Sequence, residues 1–308
     1  MKQDVIEKAE QLCELSPRMW ENETEAAEKI RQFLEEKGLE YRRQRYSVVY
    51  PTFPEYWLEA DGERIECIPS GLRSGKIGDK KVIDNWNVSS FGEANINFNP
   101  YCEGLSKPTF YDAPALTVSR EDLQKIFEAE EVEGKLVVEE EEFESENIIV
   151  GNLEDPEYIF LTHYDSWWGG FLDNAFAVAA LIELAEKTDL ERACIVFTGS
   201  EEFSDEKQYW CYGYRRFEER YSDVMEEAEL AVVDTLGLGE PIATDKFMEE
   251  AFLLEDEKLM EKANLLTTHP RNWRSIYHSP LDTREKAEDI DGALKFLEGY
   301  FDEGGLIK

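Results

Sequence analysis

Three short apolar runs constrain this chain more than any other feature: YIFLT at 158–162, ACIVFT at 193–198 and ELAVV at 229–233. Each has the length of a buried strand and ends in polar residues. An apolar helical stretch, NAFAVAALIELAEK at 174–187, separates the first two, and a second helix is expected near 207–221. Strand, helix, strand, helix, strand with short links predicts parallel βαβ units with right-handed crossovers. The expected class is therefore α/β, a central, mostly parallel twisted sheet flanked by helices. In such sheets ligands bind beyond the carboxyl ends of the strands.

The rest of the chain has a different texture. Ile6, Ala9, Leu12 and Cys13 share one face of a helix expected over residues 4–15. Ala27, Ile30, Phe33 and Leu34 recur in a second helix, with Thr24 as its expected cap and Gly38 as its stop. From 45 to 145 Gly, Pro and Asn become frequent and short β-type runs appear, as at 46–50 and 135–138. One helix interrupts them, opened by Ser119 with Glu121 and Asp122 in its first turn. Residues 45–145 are thus expected to form a β-rich insertion in a core built from 1–44 and 146–308. The run Glu139–Glu142 is expected to be a solvated strand end.

With 308 residues, 42% hydrophobic and 12% aromatic, the chain can bury a substantial core, which excludes general disorder. Its 69 acids against 33 bases give a net charge of -36. That field repels nucleic acid and anionic membranes, so neither is an expected partner. Acidity on this scale is a habit of proteins from salty cytoplasm, and a salt requirement is worth testing. Five cysteines, none in a CxxC pair, point to free thiols in a reducing cytoplasm. The acidic N-terminus lacks the apolar run of a signal peptide, and no stretch of 18 apolar residues exists. A cytoplasmic location is expected.

The strand ends carry the chemistry. The first run leads into His163-Tyr164-Asp165-Ser166, the second into Gly199-Ser200-Glu201-Glu202, and the third into Asp234. Asp173-Asn174 opens the helix after the first strand, and Tyr277-His278-Ser279-Pro280-Leu281-Asp282-Thr283 comes far downstream. Taken singly, each is a common helix cap, solvated acid or structural histidine. Together they bring His163, Asp173, Glu202, Asp234 and His278 towards one rim, with Glu201 as a spare carboxylate. Histidine and carboxylate donors without cysteine suit Zn²⁺ or a harder divalent ion.

HYDS, a following DN, EE after a strand, a later Asp and a final YHSPLDT resemble, in that order, the M28 family of dinuclear zinc peptidases. That family includes bacterial aminopeptidases, the glutamate carboxypeptidase II group and glutaminyl cyclases. The resemblance covers residues 146 to 308, and Ser16-Pro17-Arg18 with the helix that follows is similar to the family's opening segment. It implies a zinc-exopeptidase (phosphorylase/hydrolase-like) fold, with 1–44 and 146–308 as the catalytic domain and a peptide as substrate. It further implies two Zn²⁺, or Co²⁺ or Mn²⁺, held by His163, Asp173 and Asp234 and by Asp173, Glu202 and His278, the Asp173 carboxylate bridging. Glu201 becomes the general base, Asp165 the residue orienting His163, and Tyr277 the oxyanion donor. It also implies a cis Asp173–Asn174 peptide. The insertion is similar to a shortened protease-associated or apical lid.

Trp167 and Trp168 follow HYDS directly, and either an aromatic wall for substrate or loop packing explains them. Arg271 and Arg274 suit a substrate carboxylate or an ordinary surface; His269 is expected at the surface. The M20 metallopeptidases share the ligand types but usually carry a whole domain before the final histidine, and only 43 residues separate Asp234 from His278 here. Two other readings stand beside the aminopeptidase. One is a single-zinc glutaminyl cyclase, which would not need His163 and Asp234. The other is a catalytically inactive binding protein on the same fold, although such relatives lose ligands.

Overall fold

The structure is a computed structural model and describes residues 1–78, 81–86, 92–204, 209–246 and 248–308. It contains two compact units. The first comprises Met1–Val48, Phe143–Trp273 and Asp282–Lys308; the second comprises Val49–Glu142 with Arg274–Leu281.

In the first unit Tyr158–His163, Ala193–Thr198 and Glu229–Val233 are strands that pair in parallel, as their apolar runs require. The His163 strand lies in the middle. Thr198 pairs with His163 and Val232 with Leu161, so the three carboxyl ends are nearly flush. Asn264–Thr268 adds a fourth parallel strand beside Glu229–Val233, and Pro241–Thr244 runs antiparallel at that edge. On the other side residues 147–151 pair antiparallel with the Ala193 strand, and the strand Tyr41–Ala60 lies beyond them. The sheet is therefore parallel at its centre and antiparallel at its flanks.

Alternation along each strand feeds two cores. Ile159 and Leu161 face one layer with Val196, Val232, Tyr214, Phe217 and Phe252. Phe160 points the other way and stacks on Phe301 of the C-terminal helix Ile290–Glu303, ring centroids 3.9 Å apart. The helix Phe176–Ala185 is buried along its whole length, as a sequence apolar at every position but Glu183 demands, and Glu183 pairs with Lys8 and Lys37. It packs against Lys2–Cys13, whose Val5, Ile6, Ala9 and Leu12 are buried. No helix among the described residues is long and apolar enough to cross a membrane.

Several local expectations need correcting. The second helix runs Glu21–Glu36, so Thr24 lies inside it and the N-cap is Trp20, without a side-chain cap. Gly38 does end it, at φ +68, with the Leu39 amide donating back to the Leu34 carbonyl. The helix expected near 207–221 is Tyr212–Glu227, displaced towards the C-terminus; positions 207 and 208 of that expectation lie outside the described residues. The short runs at 46–50 and 135–138 are pieces of two 20-residue strands, Tyr41–Ala60 and Val132–Gly151. Glu139–Glu142 is exposed as expected, but sits mid-strand, not at an end.

The second unit is β-rich. Cys67–Pro69, Ala115–Val118, Asn95–Phe98 and Val82–Asp84 form a small mixed sheet in that order. Leu58–Ala60 turns back on Glu63–Ile65 through Asp61-Gly62, whose φ values of +50 and +79 match a type I′ hairpin turn. Ile96, Leu116, Val118, Ile126 and Leu136 fill its core. Ser119 caps the turn at Arg120–Asp122 by accepting from the Asp122 amide, and Leu123–Glu128 follows as helix.

Two glycines separate close packing from mere helix propensity. A Cβ at Gly213 would stand 2.0 Å from the Gly199 carbonyl oxygen, whereas nothing lies within 4 Å of one at Gly299. Gly213→Ala should therefore lower the unfolding free energy by about 2 kcal/mol or more. Gly299→Ala should raise it by about 0.5–1 kcal/mol. Urea denaturation of both variants checks the pair.

Candidate metal centre

His163 closes its strand with its ring 2% exposed. Its Nδ1 lies 3.2 Å from the Asp165 backbone carbonyl, which can only accept, so Nδ1 carries the proton. The opposite nitrogen, Nε2, stands 3.2 Å from Asp173 Oδ1 and 3.4 Å from Asp234 Oδ1. Nε2 thus faces two carboxylate oxygens: without a cation it shares a proton with them, and once that proton leaves, its lone pair is aimed where a positive charge is called for. The three donor atoms lie within 4.8 Å of one another, and a Glu202 oxygen lies equally near one of Asp173. One imidazole and three carboxylates in a buried cluster suit a hard or borderline divalent cation. The donor set of this unit thus fits a zinc ion, the metal that the resemblance implies.

The electrostatics point the same way. Burial pushes the Asp234 carboxyl above its ordinary value and the Asp173 charge adds to this, although the His163 hydrogen bond opposes them. Burial likewise raises Glu201 well above the usual range, partly offset by His163 and reinforced by Glu202, Asp165 and Asp234. Burial would depress the His163 imidazole, but the surrounding acids, Glu201 first, more than offset it and hold it well above its ordinary value.

The loops after the strands are held by groups whose roles the motifs did not disclose. The Asp173–Asn174 peptide is cis. Asn174 donates from Nδ2 to Thr162 Oγ1 at 3.0 Å and to the Val233 carbonyl at 2.9 Å, joining the ends of two neighbouring strands. Asp282 of the YHSPLDT segment accepts from the Leu172 amide at 2.9 Å and the Asp173 amide at 3.0 Å. Its own carboxyl is pushed up to about 7, chiefly by burial and then by the Asp173 charge. Fully buried Arg18 donates to the carbonyls of Tyr164, Gly169 and Gly170 at 2.6, 2.9 and 3.1 Å. Arg18 and Asp282 stood inside quoted motifs; their burial, which no one-dimensional pattern displays, is what marks them.

Asp165 does more than face the imidazole. Its Oδ1 is 3.6 Å from His163 Nδ1, while Oδ2 accepts from the Glu202 amide at 2.9 Å, tying two strand ends together. Behind Glu201, Ser200 adopts φ +53 and donates to the buried Glu23 carboxylate at 3.0 Å. Trp167 is buried between Trp20 and Phe203, with ring centroids 5.9 and 5.4 Å away, so its ring is engaged in packing; Trp168 is half-buried. Exposed His269 accepts from the Arg271 amide at 3.2 Å, a surface role as expected.

Tyr277 and His278 belong to the second unit. There the Lys107 carbonyl, 2.9 Å from His278 Nδ1, fixes the proton on that nitrogen and leaves the lone pair on Nε2. The Lys107 amide donates to the His278 carbonyl at 3.1 Å, and Ser106 Oγ donates to the Tyr277 carbonyl at 2.6 Å. Buried Asn99 accepts from the Trp86 indole at 2.9 Å and donates to the Arg274 carbonyl at 3.0 Å. His278 has φ +43, and its ring stacks on that of Tyr277 at 3.8 Å.

No family model matches this sequence, and no curated protein is similar to it. Solved structures do match. A zinc aminopeptidase from Bacillus subtilis is 15% identical and superposes with a TM-score of 0.68, over 100% of this chain and 95% of its own. An aminopeptidase from an Aneurinibacillus strain is 16% identical at a TM-score of 0.63, with coverages of 100% and 94%. A glutaminyl cyclase from Porphyromonas gingivalis is 11% identical at 0.54, with coverages of 99% and 98%. The chain therefore has the fold shared by M28-type zinc aminopeptidases and glutaminyl cyclases.

Residues that position metal ligands typically change metal affinity about 10–100-fold when removed. Asp282→Ala should weaken metal binding by that order, measured by competition with a chromophoric chelator, and Asp282→Asn, which keeps one acceptor, should lose less.

Proposed function

We propose that this protein is a metal-dependent exopeptidase, an aminopeptidase acting on short peptides with two zinc ions. The observation that carries the reading is His163 Nε2 facing Asp173 and Asp234 at 3.2 and 3.4 Å, beside the buried carboxyl of Glu201. His163, Asp173 and Asp234 would hold one ion, and Asp173 and Glu202 would offer carboxylates to the other, for which the resemblance adds His278. Bound there, such ions supply Lewis acidity to a scissile carbonyl and acidify a water.

The chain's own residues do the rest. Glu201 takes the proton of the attacking water and passes it to the leaving amine, a task for which a carboxyl raised by burial is better matched to neutral pH. Asp165 keeps the His163 ring and the Glu202 backbone in fixed relation. Tyr277 is the proposed donor to the developing oxyanion. Half-buried Trp168 is the proposed aromatic wall for a substrate side chain, while Trp167 packs against Trp20 and Phe203.

Aminoacyl anilides and their N-acetylated counterparts test this directly. The protein should cleave the free-amine substrates, spare the blocked ones and lose activity to a chelator. Glu201→Gln should lower kcat by about 10²–10⁴-fold while metal content stays the same. Cleavage of the acetylated substrates would overturn the aminopeptidase assignment. Cyclisation of N-terminal glutamine without hydrolysis would replace it with the cyclase reading.

A further inference from the structure

The side chain of Cys211 meets Glu201, and its geometry determines which way the hydrogen bond runs. Cys211 is fully buried at the head of the helix Tyr212–Glu227, in the left-handed region at φ +61. Its Sγ lies 3.0 Å from Glu201 Oε1 and 3.2 Å from the Leu253 backbone nitrogen. The Leu253 amide can only donate, so the sulfur accepts there and the thiol proton is left for the carboxylate. The Cys211 amide also donates to the Glu201 carbonyl, giving a second attachment to the same residue. With Oε1 engaged by the thiol, the other oxygen, Oε2, is the one on the imidazole side, 4.0 Å from His163 Nδ1.

We propose that Cys211 is a positioning residue for the catalytic base: its thiol holds Glu201 Oε1, fixing the carboxylate and leaving Oε2 to take the proton of the reacting water. The proposal rests on the peptidase reading of Glu201. A cysteine suits the place because sulfur reaches further than oxygen, spans between a backbone donor and a carboxylate, and tolerates an apolar setting among Tyr214, Phe252 and Leu253. Truncating the side chain to the methyl of alanine removes the thiol and frees the carboxylate to rotate without removing any atom that meets substrate. The loss should therefore fall on kcat and leave KM unchanged.

Two measurements on the full-length, zinc-loaded protein test this. Cys211→Ala should lower kcat on an aminoacyl anilide by about tenfold, with KM and metal content unchanged, and Cys211→Ser should recover kcat to within about threefold of wild type. Wild-type kcat in Cys211→Ala would overturn the proposal. Independently of activity, the infrared S–H stretch assigned by difference against Cys211→Ser should be broadened and red-shifted in the wild type. It should move to the free-thiol position in Glu201→Ala. A free-thiol band in the folded wild type overturns the proposal even if the alanine variant fails to fold. If the wild type hydrolyses no peptide, the peptidase reading fails, and the infrared band alone decides whether Cys211 holds Glu201.

Discussion

Everything around the candidate metal centre depends on one electrostatic constraint: several carboxylates share a buried space with a single imidazole whose Nε2 faces two of them. Without a cation the carboxylates repel one another, and the upward displacement of Asp234 and Glu201 expresses their burial first and that repulsion second. A divalent ion converts the same geometry into an attractive one. The parallel strands make the crowding possible because their carboxyl ends finish level, which puts His163 and Asp234 side by side and Glu202 three residues beyond Gly199.

Holding mutually repelling groups in register takes rigid neighbours, and the protein supplies them from buried polar residues. Arg18 satisfies three carbonyls of the 164–170 loop; Asp282 satisfies the two amides at Leu172 and Asp173; Asn174 bridges two strand ends. Each is deeply buried and would be costly to leave unpaired, so each fixes a backbone that would otherwise move. Asp165 serves both the histidine and the glutamate loop, and Cys211 meets Glu201 from behind. The second unit treats its Tyr277–His278 segment in the same manner, through Asn99, Ser106 and Lys107.

Much of this was legible in the one-dimensional pattern. Apolar runs that end in ligand-type residues are a local signal, so the three central strands and the residues beyond them could be read directly. The two 20-residue strands could not: Glu139–Glu142 breaks the apolar alternation of one while facing solvent mid-strand, and Pro51 and Pro54 interrupt the strand pattern of the other. Asn264–Thr268 was missed because NLLTT is too short and too polar at its end to stand out. The Thr24 cap was misplaced because the helix begins at an uncapped tryptophan with positive φ, which propensity does not anticipate. Arg18, Asp282 and Cys211 act through burial and partners more than a hundred residues away in the first two cases, and such pairings leave no periodic trace.

The account stands or falls on cations filling the space that His163, Asp173 and Asp234 surround. The most direct measurement is elemental analysis of metal per chain, on protein purified without chelator or nickel resin. Two equivalents of zinc, lost and regained together with peptide hydrolysis, are the predicted result. No bound metal, even after zinc is added back to folded protein, would contradict it.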